Sequence, residues 1–367
     1  MKNYNIMIKP ASGLCNMRCA YCFYADEMHL RGEGSRGMMT RDTAVRLLDN
    51  VFADLHGGDR VNFVFQGGEP LLVGKEFLEH FTDEARRRAR GVDLSFALQT
   101  NATLIDDGLC DFFRENSYLI GISLDGMKET HDRYRTDAEG SGTHRTVMEA
   151  MHLLESHGVE YNVLMTLTPA LAKHPQKVWK FILDNSLAYV QFTPCLGGLE
   201  GSGDAFALTP ELFARFYRVL FRLWFEELKK GRQISVKLFD DIVNLLARGE
   251  VNACGLTGIC SSQIVVEADG SVYPCDFYML DGYRLGNLRD STVPQLLNSP
   301  ARAAFETRPR NIPLCSACRY RRMCGGGCPR MKESVYYGEG SVFCGYRDFL
   351  DATIEDFKDI AATVLPR

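Results

Sequence analysis

Long apolar runs are missing from this chain: no segment approaches the ~18 apolar residues that a membrane-spanning helix requires, so no membrane partner is expected. No secretory leader is expected, since the sequence opens on the strand-like Tyr4-Asn5-Ile6-Met7-Ile8-Lys9. The expected location is the cytoplasm. Neither sign of charge dominates: the formal net charge is −5 at pH 7, which favours neither nucleic acid nor an anionic membrane as partner. The one dense basic run, Arg86-Arg87-Arg88-Ala89-Arg90, reads as a solvated helix face. Low-complexity tracts are absent, and 46% apolar with 24% charged residues supports a sizeable core. None of the eight histidines stands at ligand spacing from a partner.

Cysteine is the residue in excess. Thirteen in 367 residues are too many for packing alone, and a reducing compartment disfavours disulfides. Metal or redox chemistry becomes the leading explanation.

The first half alternates short apolar strands with amphipathic helices, the pattern of repeated βα units around a parallel sheet. Strands are expected at Asn5–Lys9, Val61–Phe65, Leu94–Gln99, Leu119–Ser123, Tyr161–Thr166 and Tyr189–Phe192. Among the helices, one after Thr40 is expected to bury Val45, Leu48, Phe52 and Leu55. Another from about Thr143 presents Val147, Met151 and Leu154 and stops at Gly158. Pro175 suits the first turn of a helix carrying Val178, Phe181 and Ile182. Six units make an α/β fold of the partial (β/α)6 TIM-like type. Polar and glycine-rich segments follow the strands, where parallel barrels put their active sites.

A long helix follows, about Pro210 to Lys230, and near residue 235 the rhythm stops. The expected organisation is a barrel over 1–235 and a smaller domain over 236–367, which holds eight cysteines between Cys254 and Cys344. Its thin apolar content suggests nucleation by metal. Short strands Gln263–Glu267 and Val272–Tyr273 and a final helix near Arg347 to Val364 complete it.

Cys15, Cys19 and Cys22 form CxxxCxxC directly after the first strand. Thiolates are the normal ligands of iron–sulfur clusters, and three ligands for four irons leave one position open. Zinc is the rival, although its common sites pair CxxC motifs to reach four ligands. Of the remaining cysteines, Cys110 beside Phe112 and Phe113 reads as core, and Cys195 as a buried inert thiol.

The loop Ser12-Gly13-Leu14-Cys15-Asn16-Met17-Arg18-Cys19-Ala20-Tyr21-Cys22-Phe23-Tyr24 resembles the signature loop of radical S-adenosylmethionine (SAM) enzymes. The resemblance implies a 4Fe–4S cluster on Cys15, Cys19 and Cys22, whose open iron is chelated by SAM. Gly67-Gly68-Glu69-Pro70 is similar to the family's glycine motif, whose backbone meets the SAM amino group. By the same resemblance Gly67, Gly68, Glu69, Tyr21, Ser123, Arg135 and Leu196 are SAM contacts, Ser123 at the ribose and Arg135 at the carboxylate. Cys315-Ser-Ala-Cys318 and Cys324-Gly-Gly-Gly-Cys328 resemble the SPASM extension, which makes the C-terminal part an iron–sulfur domain. The glycines are read as room for backbone to approach a cluster. The implied ligand sets are Cys254, Cys260, Cys275 and Cys328 for auxiliary cluster I, and Cys315, Cys318, Cys324 and Cys344 for auxiliary cluster II. Three 4Fe–4S clusters and SAM are thus the implied cofactors.

Within that group, Ile8-Lys9-Pro10-Ala11-Ser12, Phe65-Gln66-Gly67-Gly68-Glu69-Pro70, Leu98-Gln99-Thr100-Asn101 and Tyr273-Pro274-Cys275-Asp276-Phe277-Tyr278 resemble the anaerobic sulfatase-maturating enzymes. These oxidise one Cys or Ser of a sulfatase polypeptide to formylglycine. The implied steps are Cβ hydrogen abstraction, deprotonation, and electron transfer to an auxiliary cluster, with a flavodoxin or ferredoxin as low-potential donor. Asp276 is the candidate base, with neighbouring thiolates and desolvation expected to raise its pKa. Tyr24 and Gln66 are candidate peptide contacts. Ala102 stands where the family often has Gly, and the loop Gly197–Gly203 is unusually glycine-rich, expected to shape the substrate entrance. The alternatives are another SPASM peptide modifier making thioether, carbon–carbon or epimerised products, and a non-catalytic zinc-stabilised binding protein.

Overall fold

The computed structural model describes residues 1–199, 204–251, 253–260, 263–307, 313–338 and 342–364. Positions 200–203 of the glycine-rich loop lie outside the described residues. Ten strands occur in chain order: β1 Asn3–Ile8, β2 Arg60–Phe65, β3 Asp93–Thr100, β4 Tyr118–Ser123, β5 Tyr161–Leu167, β6 Tyr189–Pro194, β7 Ser235–Val236, β8 Ile264–Val266, β9 Ser271–Tyr273 and β10 Gly286–Asn287. All six strands expected in the first half are present, within two residues at each end. Two compact units divide the chain. The first comprises Met1–Ser123, Arg135–Tyr161 and Ser262–Arg308; the second comprises Leu124–Tyr134, Asn162–Ser261 and Pro309–Arg367.

In the first unit the strand order is β10-β9-β8-β1-β2-β3-β4. Strands β8 and β1 to β4 run parallel, whereas β9 and β10 add on antiparallel. Alternation of buried and half-exposed side chains in β2 sends Val61, Phe63 and Phe65 inward. The Phe81 ring from the helix Lys75–Ala89 meets Phe63 and Phe65 edge-on at 5.2 and 5.0 Å. That helix ends on the basic run, which is solvated as expected, with Arg88 tied to Glu84 and Asp49.

The helix Arg41–Phe52 is capped by Thr40, whose hydroxyl accepts from Thr43 N at 3.1 Å. Its buried stripe differs from the expected one: Ala44, Leu47, Leu48 and Val51 face inward, while Val45 and Phe52 lie at the margin. Small Ala44 lets the helix roll toward its own side. The helix His144–Ser156 buries Val147, Met151 and Leu154 as expected, and Gly158 follows it at φ +68°.

In the second unit β5, β6 and β7 are parallel neighbours. Three helices supply its core, Pro210–Lys229, Lys237–Arg248 and Gly345–Val364, through Phe221, Phe239 and Phe357. The Phe221 and Phe357 rings lie 4.6 Å apart. No helix among the described residues is long and apolar enough to cross a membrane.

Candidate active site

Chain ends of β1, β2 and β3 converge in the first unit. After β1 the chain turns at Ser12, which holds φ +50° and whose hydroxyl accepts from Arg36 N at 3.0 Å. The loop carrying Cys15 is then clasped by the segment after β2: Gly68 N donates to Ser12 O and Glu69 N to Leu14 O, each at 2.8 Å. A Cβ on Gly68 would lie 2.0 Å from Leu14 O, and one on Gly67, at φ +129°, 2.9 Å from Ser12 O. Both glycines are therefore demanded by the cysteine loop itself.

Glu69 is fully buried. Its carboxylate accepts from Leu71 N (3.0 Å), Thr100 Oγ1 (2.7 Å) and Asn101 N (2.8 Å), joining the loop after β2 to the end of β3. Burial raises its pKa to about 7 despite those donors. Asn101 continues the chain of contacts, its Nδ2 lying 2.9 Å from Asn16 Oδ1 and 3.8 Å from Cys15 Sγ. Cys22 is the N-cap of the helix Phe23–Leu30.

Tyr21 and Arg135 come together, the guanidinium carbon 5.4 Å from the ring centroid. Arg135 is 9% exposed, a buried cation and not a surface residue. Ser123, at the end of β4, accepts from Gln99 Nε2 at 2.9 Å. Leu196 belongs to the second unit, half-buried after β6, and Gly197 O next to it accepts from Arg330 Nη2 at 2.6 Å.

Beside Cys275, Asp276 is 7% exposed and forms an ion pair with Lys9, while Gln66 Nε2 donates to its Oδ2 at 3.3 Å. The thiolate-dominated setting expected for Asp276 thus contains a buried ammonium that the sequence did not announce. Tyr24 is 2% exposed; its hydroxyl is bonded to Glu267, which also pairs with Arg31 at 2.5 Å. Glu27 completes the group. Its Oε1 accepts from Met279 N at 3.2 Å and its Oε2 has no hydrogen-bond partner among the described residues. Burial, then the Asp276 charge, lift its pKa to about 8 against the pull of Lys9.

A pH dependence follows from Glu27. In the unfolded chain it ionises near 4.5, in the fold near 8, so the folded state holds the extra proton across that interval. Stability should fall as pH rises from 4.5 to 8, by up to about 5 kcal/mol, and level off above. Glu27→Gln removes that slope. Its melting temperature should exceed the wild-type value by a margin that grows up to pH 8; parallel curves would show that Glu27 is already ionised in the fold.

The second unit gathers four thiols. Cys315, Cys318, Cys324 and Cys344 line one pocket together with Tyr336 and Tyr346. Burial first, then mutual repulsion of thiolates, raises the pKa of Cys315 and Cys324, the latter to about 12. Such a set is stable as thiolates only around a cation. Four thiolates around such a space fit an iron–sulfur cluster. Gly325, Gly326 and Gly327 all have positive φ. A Cβ on Gly325 would lie 2.3 Å from Thr257 O and one on Gly327 1.9 Å from the Tyr336 ring. The run makes room for neighbouring chain, beyond the cluster approach expected of it. A Cβ on Gly255 would come 2.8 Å from Cys328 Cβ, so the segment after Cys254 packs against Cys328. Cys110 and Cys195 are buried, as expected of core thiols.

Residues 10–176 match the radical SAM superfamily, and residues 254–319 match SPASM, an iron–sulfur cluster-binding domain. The chain is 35% identical to a cysteine-type anaerobic sulfatase-maturating enzyme of Clostridium novyi, with 100% of both chains covered. A serine-type anaerobic sulfatase-maturating enzyme of Bacteroides thetaiotaomicron is 28% identical, covering 90% of this chain and 83% of that one. Among solved structures, native anSMEcpe with bound AdoMet and Cp18Cys peptide superposes with a TM-score of 0.89 at 34% identity, covering 99% of each chain.

Proposed function

Because the chain belongs to the anaerobic sulfatase-maturating enzymes, radical SAM oxidoreductases with a C-terminal iron–sulfur domain, we infer that it oxidises one residue of a sulfatase polypeptide to formylglycine. Cysteine is the proposed target residue, supported by 35% identity to a cysteine-type relative against 28% to a serine-type one. The observation that carries the chemistry is Asp276, a buried carboxylate one residue from the proposed cluster ligand Cys275, ion-paired with Lys9 and hydrogen-bonded by Gln66.

Cys15, Cys19 and Cys22 hold the SAM-binding 4Fe–4S cluster. Cys254, Cys260, Cys275 and Cys328 hold auxiliary cluster I, and Cys315, Cys318, Cys324 and Cys344 auxiliary cluster II. When bound, these groups and SAM supply a deoxyadenosyl radical for the Cβ hydrogen and an acceptor for the electron left on carbon. The chain's own residues do the rest. Arg135 binds the SAM carboxylate, Ser123 the ribose, and Gly67, Gly68 and Glu69 present backbone to the amino group; Tyr21 and Leu196 are SAM contacts by the resemblance. Asp276 accepts the target thiol or hydroxyl proton. Gln66 is assigned to the peptide by the resemblance and by its bond to Asp276, Tyr24 by the resemblance alone. The division at residue 235, a cytoplasmic location and a flavodoxin or ferredoxin donor belong to the same reading.

The test uses reconstituted, reduced enzyme with SAM and a sulfatase-motif peptide, read by mass. Replacement of sulfur by oxygen with loss of two hydrogens is expected from a Cys peptide, and loss of two hydrogens from a Ser peptide. A cross-link that retains the sulfur would instead support the thioether-forming alternative.

A further inference from the structure

We propose that Lys9 is a positioning residue: its buried ammonium fixes the Asp276 carboxylate in the orientation from which that group takes the substrate proton. The inference rests on the assignment of Asp276 as proton acceptor. Lys9 lies one residue beyond β1, and its side chain is 0% exposed. Lysine is almost never fully buried unless paired, because the ammonium loses its hydration. Here the pairing is with Asp276, and the Tyr24 ring lies 4.3 Å from the ammonium nitrogen, so the charge is backed by an aromatic face. A Cβ on Gly67 would come within 3.2 Å of Lys9 Cβ, so the bare backbone after β2 leaves room for the stem.

The two oxygens of Asp276 meet different partners: the Lys9 ammonium forms an ion pair at Oδ1 from the end of β1, and Gln66 donates a hydrogen bond to Oδ2 from the end of β2. Adjacent parallel strands thereby set the plane of one carboxylate. Glu27 does not compete for the ammonium at neutral pH, since burial keeps it protonated below about 8. Lys9 also precedes Cys15 by six residues, so one stretch of chain carries both the ion-pair partner of the base and the proposed first cluster ligand.

The test is a double-mutant cycle on the reconstituted enzyme, scored as aldehyde formed per deoxyadenosine released. Lys9→Met keeps the stem and removes the charge; the ratio should fall about tenfold or more, with peptide KM moving far less than kcat. Lys9→Arg should recover part of the loss. In an Asp276→Asn background Lys9→Met should add no further loss, because it acts through the carboxylate. That neutral double variant should also melt above the Lys9→Met single variant, whose carboxylate lacks its counter-ion. A wild-type ratio in Lys9→Met overturns the proposal and leaves Asp276 in its role. Additive losses in the double variant overturn it too. Wild-type aldehyde yield in Asp276→Asn alone sinks the reading beneath it. Iron content and melting temperature check that the variants fold; if Lys9→Met does not, Lys9→Gln is scored in its place.

Discussion

Asp276→Asn should go on releasing deoxyadenosine while aldehyde formation drops by about 10²-fold or more. The amide is isosteric and keeps an oxygen for one of the two partners, yet it cannot accept a proton at neutral pH. Hydrogen abstraction precedes the need for a base, so SAM cleavage and product formation separate. The same change leaves Lys9 buried without an anion, and breaking a buried pair from one side typically costs about 3–5 kcal/mol. A lower melting temperature should accompany the loss of aldehyde. Chromatography of deoxyadenosine beside peptide mass measures both; an unchanged aldehyde yield removes Asp276 from the role.

Replacing Cys15, Cys19 and Cys22 together by alanine should abolish deoxyadenosine release altogether. The triad is the proposed anchor for the cluster that splits SAM, whereas the cavity lined by Cys315, Cys318, Cys324 and Cys344 lies in a different compact unit. The variant should therefore lose roughly a third of its iron, one cluster in three, and keep the absorption of the others. Iron analysis and visible spectra check this without reference to turnover. Deoxyadenosine release from the triple variant would defeat the assignment of the triad.

The strands and the family signature were legible because their signals are local. Alternation in Val61–Phe65 and the spacing of Cys15, Cys19 and Cys22 need no distant partner to be read. The stripe of the helix Arg41–Phe52 was misread because Val45 and Phe52 are as apolar as the buried Leu47 and Val51, so packing and not hydropathy decides which of them face inward. Gly67 and Gly68 were legible only through the resemblance, as backbone meeting SAM; the close approach of Ser12 O and Leu14 O is a tertiary fact. Lys9, Glu27 and the Arg31–Glu267 pair went unread because their partners sit far along the chain. One trace existed: Lys9 is the only charged residue between Lys2 and Arg18, a lone cation in an otherwise neutral stretch.

The pairing of β8 with β1 places a segment from late in the chain directly alongside the first strand made. During synthesis the earliest strand therefore keeps one unsatisfied hydrogen-bonding edge until Ile264–Val266 has left the ribosome. Such long-range closure slows folding, and it ties completion of the first unit to nearly full translation. A nascent chain stalled before that point should bind holdase chaperones through this open edge, and one released beyond it should not.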